Sequence, residues 1–138
     1  MDEFKYDVFI SYKHDDIEWV QKELIPRLQE ANLKICLDDV EFLAGGAAIV
    51  SMQDAVEQSR RTLLVLTPRY MQSHWTRFEM LATRTLDPDA MQRRTVPLLV
   101  EKVEKLPLLL SMLTYVDLTR PENQENAWKL LIRSLKPD

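Results

Sequence analysis

The residues best suited to chemistry lie in a helical pattern that contains Trp75 and Glu79. Residues four apart lie on one face of a helix, so the indole and the carboxylate are expected to be neighbours. A tryptophan beside a carboxylate offers a flat wall to a bound ring. Glu79 has no basic residue three or four positions away, which favours a functional role. The alternative is an ordinary solvated glutamate next to a core tryptophan.

Other patterns of catalytic or ligand-binding residues are missing. The two histidines and the single cysteine are far apart and give no metal-ligand spacing, so we expect no metal site. The sequence contains no GxSxG, and its two adjacent glycines cannot form a Walker A or GxGxxG motif. Spacing alone does not decide against a dispersed Ser/His/Asp or Cys/His arrangement. Because metal-ligand spacing and both glycine-rich motifs are missing, the sequence predicts no cofactor.

The composition is that of a soluble protein of one domain, residues 1–138. A net charge of −4 argues against binding to duplex nucleic acid. The sequence contains no apolar run of 18 residues, so it predicts no membrane span. Its start, MDEFKYD, is unlike a signal peptide. Cys36 has no partner for an internal disulfide, which favours a reducing, cytoplasmic setting.

Five apolar segments alternate with helical patterns along the chain. They predict strands at 6–12, 33–38, 62–67, 94–100 and 114–119. Asp15 is the predicted cap of the first helical pattern. Pro26 falls inside that pattern and predicts a kink or two segments, whereas Pro97 predicts an edge strand or a bulge. This alternation predicts an α/β fold: a flavodoxin-like, doubly wound sheet of five parallel strands with helices on both faces.

Ligands of such sheets bind beside the carboxyl ends of the strands. The first strand ends into Tyr12, Lys13 and His14, the second at Asp38, and the third at Thr67. We expect these segments to meet at one edge of the sheet.

Four stretches of the chain, in this order, resemble a TIR (Toll/interleukin-1 receptor homology) domain over residues 6–135. They are YDVFISYKHDD, CLDDVEFLAGG, RRTLLVLTPRYMQSHWTRFE and PLLV. The resemblance is closest to bacterial members, which commonly form the N-terminal domain of a larger multidomain protein. It implies assembly with other TIR domains in signalling or defence. In many bacterial members it also implies cleavage of NAD+ at the nicotinamide–ribose bond, giving ADP-ribose or a cyclic form of it.

The enzymatic members carry a glutamate one turn after a tryptophan in the third helix, and Glu79 and Trp75 match this pattern. The resemblance therefore implies that Glu79 is the catalytic carboxylate and that Trp75 forms a wall for the sugar or the ring. It places Tyr12, Lys13 and His14 in the loop that faces the dinucleotide. There Lys13 would attend a phosphate, although a solvated loop lysine is at least equally expected.

The loop after the second strand contacts neighbouring domains and gates the site in TIR domains. Asp38 and Phe42 would border the substrate, with a cap or turn role as the alternative for Asp38. Leu43, together with Phe42, would make apolar contacts in assembly or pack beneath the loop. Gly45 and Gly46, the only glycines of the chain, would act as a hinge of this lid.

The resulting hypothesis is an NAD+ glycohydrolase, or a cyclase, that is activated by self-association and has NAD+ as substrate. The alternative is a catalytically silent TIR scaffold. A phospho-receiver domain of the same fold class is disfavoured, because the third strand ends in Thr67 and Pro68 rather than in acidic residues. Whether the product is linear or cyclic stays open.

Overall fold

The computed structural model describes residues 4–37, 54–73, 75–76, 78–79, 94–107, 110 and 114–136. Five strands form one sheet in the order β2-β1-β3-β4-β5, and every neighbouring pair is parallel. They are β1 (Tyr6–Ser11), β2 (Ile35–Leu37), β3 (Ser59–Leu66), β4 (Thr95–Leu99) and β5 (Val116–Asp117). This is the flavodoxin-like order, so the predicted fold class is confirmed.

The main helical segments of the described residues lie between the strands and after the last one. They are α1 (Ile17–Trp19), a π-helical turn (Val20–Leu24), α2 (Ile25–Glu30), α3 (54–58), α4 (Pro68–Ser73) and α5 (Gln124–Leu135). Residues 75–76 and 78–79 are also helical. Among the helices of the described part, none has the length and apolar character needed to cross a membrane.

The described residues form two apolar core clusters, because successive strand residues point to opposite faces of the sheet. On β3, Leu63 and Val65 belong to the first cluster, whereas Leu64 and Leu66 belong to the second. The first cluster includes residues of the π-helical turn, α2 and α5. The second includes residues of α3 and α4 and the aromatic rings of Trp75 and Phe78. Helical residues therefore cover both faces, as a doubly wound sheet requires.

The two-segment prediction for Pro26 is confirmed. Pro26 has no N–H to donate to the carbonyl of Lys22, four residues earlier. The chain forms a π-helical turn over Val20–Leu24 and then begins α2, in whose first turn Pro26 lies. Proline is well tolerated in that place because the first N–H groups of a helix have no partner within it.

The edge-strand or bulge prediction for Pro97 is wrong, because β4 lies between β3 and β5 and Pro97 pairs in regular register with Leu64. The N–H of Val100 donates to the carbonyl of Leu66, whereas the carbonyl of Leu99 accepts from the N–H of Leu118, just after β5. Since backbone groups alternate between the two sides of a strand, Pro97 faces β5. That short strand pairs with β4 only from Leu98 onward, so the missing N–H of Pro97 removes no ladder hydrogen bond.

Strand β3 starts at residue 59, three residues before the predicted start. Ser59 and Arg61 pair with β1, opposite Tyr6 and Val8. Between them, the guanidinium of Arg60 donates a 2.7 Å hydrogen bond to the carbonyl of Leu135 at the end of α5. These polar residues extend the strand because their backbone pairs with β1 and Arg60 binds the end of α5, partners that local sequence does not reveal.

Candidate functional site

The topological switch point of the sheet lies between β1 and β3. From β1 the chain continues to β2 on one side, whereas β3 lies on the other side. Ligands of open parallel sheets bind at the carboxyl ends of the strands beside such a point. The segments there are residues 12–16, which follow β1, and residues 67–69, which follow β3. They form the described part of the rim where a ligand is expected.

A partly buried ion pair joins these two segments. The carboxylate of Asp16, which is 8% exposed, accepts hydrogen bonds from Arg69 Nε at 3.0 Å and Nη2 at 2.6 Å. It also accepts a 2.9 Å bond from the hydroxyl of Thr67. Arg69 Nη2 lies 2.6 Å from the carboxylate of Glu101, just after β4. The network therefore ties together the carboxyl ends of β1, β3 and β4.

This network explains how α1 and α4 begin. Asp16, not the predicted Asp15, is the N-cap of α1, but its side chain makes no capping bond because Thr67 and Arg69 engage it. Thr67 instead caps α4, since its hydroxyl accepts a 3.1 Å bond from the N–H of Tyr70. A carboxylate is costly to bury unless it is paired and hydrogen-bonded, and Asp16 is both.

Sequence reasoning did not predict that Asp16 and Arg69 form an ion pair. The side-chain hydrogen bonds to Asp16 and then to Glu101 hold the pKa of Arg69 above its ordinary value, so the guanidinium is charged at any working pH. A usable signal existed: residues of opposite charge follow two strands that a doubly wound sheet places side by side.

We expect Asp16→Ala to lower the free energy of unfolding by about 1–3 kcal/mol, because Thr67 and Arg69 lose a buried acceptor. The value lies below that for a fully buried pair because Arg69, 40% exposed, regains water. Urea unfolding measures the change. The matched test is Arg69→Met, alone and combined with Asp16→Ala. If the two substitutions lower the free energy of unfolding additively, Asp16 and Arg69 do not stabilise the fold as a pair.

The predicted residues after β1 have different exposures. The side chain of Tyr12 is fully buried and belongs to the first core cluster. Lys13 is half-buried, and His14 is exposed at the start of a 3₁₀ turn (His14–Asp16). Lys13 and His14 are therefore open to a solute at the rim, whereas the ring of Tyr12 packs inside.

Trp75 and Glu79 also differ in exposure. Trp75 is only 5% exposed and belongs to the second core cluster, where its ring lies 5.6 Å from that of Phe78 at an angle of 35°. Glu79 is exposed. Trp75 therefore anchors this helical segment, while the carboxylate one turn later is accessible. Tyr12 and Trp75 lie in clusters on opposite faces of the sheet, so the two rings are not brought together.

The remaining predicted residues lie outside the described residues. They are Asp38, Phe42, Leu43, Gly45 and Gly46, and their roles stay predictions. Within the ranges that the structure does describe, no group of three or more His, Cys, Asp or Glu side chains is arranged to hold a metal ion.

Asp117, at the end of β5, contributes a further carboxylate to the same edge of the sheet. Its Oδ1 accepts a 2.8 Å bond from the N–H of Thr119 and a 2.6 Å bond from the hydroxyl of Thr119. The hydroxyl bond is the main cause that lowers the pKa of Asp117 below its ordinary value, and partial burial opposes it. The folded state therefore favours the ionised form.

A lowered pKa in the folded state predicts a pH-dependent contribution of Asp117 to stability. The contribution is complete above the ordinary carboxyl pKa of about 4 and is lost as the pH falls through the lower folded-state value. We expect Asp117→Asn to cost about 0.5–1.5 kcal/mol near neutral pH and almost nothing in strong acid. Urea unfolding of both proteins across this range is the measurement. A difference that stays constant with pH would show that the charge of Asp117 is not responsible.

Comparison with known proteins identifies a family and several relatives of this chain. A family model described as TIR domain matches residues 8–132. Human Toll-like receptor 6 is 27% identical over 94% of this chain, which corresponds to 18% of that receptor. In bovine Toll-like receptor 6 the match covers 55% of this chain and 10% of the receptor. The matched part is therefore less than a fifth of the length of either receptor.

Two solved structures are similar over nearly the whole chain. The TIR domain of the Toll-related receptor TRR-2 from Hydra magnipapillata has a TM-score of 0.79 and 24% identity, covering 96% of this chain and all of that one. A TIR-STING receptor from C. gigas in complex with 2′,3′-cGAMP has a TM-score of 0.75 and 27% identity, covering 99% of this chain and 41% of that one. These named proteins are from animals, so the bacterial kind stays a prediction.

Proposed function

Because the chain belongs to the TIR domain family, we propose that it signals by associating with other TIR domains and that its assembled form cleaves NAD+ through Glu79. TIR domains commonly interact with one another, and the similar proteins named above are receptors. NAD+ is the substrate, and the reaction needs no further cofactor.

The observation that carries the catalytic part is the accessible carboxylate of Glu79 on a segment anchored by buried rings. Trp75 and Phe78 pack in the core, while Glu79 is exposed one turn after Trp75. A carboxylate that acts on a dissolved substrate has to be both accessible and fixed in place. Trp75 supports this as an anchor of the backbone, and its role as a wall for the ring stays a prediction.

The chemistry asks little of the protein beyond one carboxylate. Nicotinamide leaves as a neutral molecule with the electron pair of the glycosidic bond, so no general acid is required. Positive charge develops on the ribose, as in glycoside hydrolysis. Glu79 stabilises this charge and accepts hydrogen bonds from the ribose hydroxyls mainly in the transition state. Water then forms the new bond at the anomeric carbon and releases a proton, or a group of the same nucleotide closes a ring.

The residues after β1 are suited to the charged part of the substrate. Lys13 is half-buried and His14 is exposed at the carboxyl end of β1. An ammonium group at this rim attracts the diphosphate of NAD+. The buried ring of Tyr12 anchors this segment to the first core cluster.

A non-catalytic scaffold is the second candidate, and the positions of two rings favour it. Tyr12 and Trp75, both expected at the substrate, are buried in clusters on opposite faces of the sheet. A scaffold needs neither ring exposed. The receptors to which the chain is similar are consistent with either function.

The test is NAD+ turnover by the wild-type chain over a wide range of protein concentration, with products separated by chromatography. We expect nicotinamide release whose rate per molecule rises with concentration, because assembly completes the site. Fusion to an oligomerising domain should have the same effect. The second product distinguishes ADP-ribose from a cyclic form. Association without any nicotinamide release, in the fused form as well, would establish the scaffold.

A further inference from the structure

An open groove lies between α2 and α5, far in sequence from the residues proposed for catalysis. It has a volume of about 740 Å³, which is within the range of pockets that hold drug-sized ligands. Ala31, Ile132 and Trp128, all half-buried, contribute apolar surface to it. No part of the proposed NAD+ reaction uses this groove.

The aromatic side of the groove is held in place by stacking. The ring of Trp128 lies 6.1 Å from the ring of Trp19, with the two planes 19° apart. The guanidinium of Arg27 lies 4.2 Å from the centre of the Trp128 ring. Stacking and the cation–π contact restrict the rotamers of all three side chains. A ligand therefore meets a preformed surface, which lowers the entropy cost of binding.

The charges around the groove are opposite in sign to those of the whole chain. Four cations and one carboxylate, Glu30, line it, although the chain carries a net charge of −4. The cations are Arg27, Lys129, Arg133 and Lys136. All four are exposed. Lys129 is the only one of these four cations that has an ion-pair partner within the described part of the chain, Glu125 at 3.7 Å. A concentrated positive potential in an acidic protein attracts an anionic partner.

We propose that this groove binds an acidic segment of a partner protein, in which carboxylates flank a bulky apolar side chain. The apolar side chain would pack on Ala31 and Ile132, and the carboxylates would reach Arg133 and Lys136. The shape argues against a bilayer, which needs a flat or convex surface. The exposure of every cation argues against a small anion, because such an ion would stay hydrated there.

The experiment uses the whole chain and three labelled peptides of equal length, with binding followed by fluorescence anisotropy. The first peptide has two leucines flanked by glutamates, the second has glutamines in their place, and the third has lysines. We expect binding of the acidic peptide only. Raising the salt from about 50 mM to about 500 mM should weaken it strongly, because exposed charges are screened.

Charge reversals on the protein locate the binding surface. The double variant Arg133→Glu/Lys136→Glu should weaken the acidic peptide about tenfold or more. Lys22→Glu/Lys105→Glu changes the net charge equally at exposed positions outside the groove and should have little effect. Glu30→Lys should strengthen binding, a gain that a folding defect cannot imitate. Thermal unfolding checks that each variant is folded.

Several outcomes would overturn the proposal. Equal binding of the glutamine peptide would show that charge has no role, and equal losses in both double variants would show that the groove is not the surface. Binding of phosphatidylserine vesicles, but of no peptide, with the same dependence on Arg133 and Lys136 would assign the groove to a membrane. A dimer of the chain that occupies the groove and excludes the peptide would assign it to a second copy. These results are independent of NAD+ turnover.

Discussion

Glu79→Gln is expected to lower the rate of NAD+ cleavage by at least about 10²–10³-fold, the effect of removing one group that stabilises the charge of a transition state. Glutamine has the same shape and retains a hydrogen-bond acceptor for the ribose hydroxyls. It lacks the negative charge that opposes the developing positive charge on the ribose. Binding of NAD+ should change much less than turnover, because the charge appears only in the transition state.

The measurement is nicotinamide release at saturating NAD+, with wild type and variant at the same protein concentration. Glu122→Gln is the matched control, since Glu122 is an exposed glutamate in the turn before α5. Both variants should unfold at the temperature of the wild type, because both replaced side chains are exposed. If Glu79→Gln keeps its activity, the carboxylate of Glu79 is not the catalytic group. A large rise in KM with unchanged kcat would make Glu79 a binding residue.

Leu64→Ala is expected to lower the free energy of unfolding by about 2–5 kcal/mol, the usual cost of a cavity in a core. Leu64 is fully buried in the second cluster. It lies on β3, the central strand, opposite Ser11 of β1 and Pro97 of β4. Backbone on both sides prevents collapse of the cavity, so the cost should fall in the upper part of the range. This is a large fraction of the about 5–15 kcal/mol that stabilises a typical domain.

The matched control is Leu130→Ala on α5, the same substitution at a leucine that is 37% exposed. We expect a change within about 0.5 kcal/mol, because Leu130 is exposed and belongs to neither core cluster. Urea unfolding of the two variants and the wild type gives both values. Similar losses for Leu64 and Leu130 would contradict the assignment of Leu64 to the core.

The architecture followed from local patterns because those patterns reflect burial. Segments such as VFIS and TLLVL are apolar on both faces, as strands covered by helices on each side must be. Parallel pairing of such strands then requires helical connections, so the doubly wound sheet was predictable. Even the break before Pro26 was predictable, since the missing N–H of proline acts within one helical turn.

Errors arose where a residue's partner is distant in sequence. Pro97 lies in an interior strand because β5 is too short to need its N–H. Asp16 replaces Asp15 as the cap because Thr67 and Arg69, more than 50 residues later, bind its carboxylate. No periodicity encodes such pairs. They depend on which strand ends become neighbours after the sheet has formed.

The candidate site divides in the same way. The sequence alone determined that Trp75 and Glu79 are four residues apart, that the family is TIR, and that charged residues follow β1. Tertiary structure decided that the rings of Tyr12 and Trp75 pack in separate clusters while Glu79 stays exposed. It also formed the basic groove between α2 and α5 from residues as far apart in sequence as Arg27 and Lys136. Spacing determines which residues share a face of one helix or strand. Which of those residues reach solvent depends on which face of the element is covered in the folded protein.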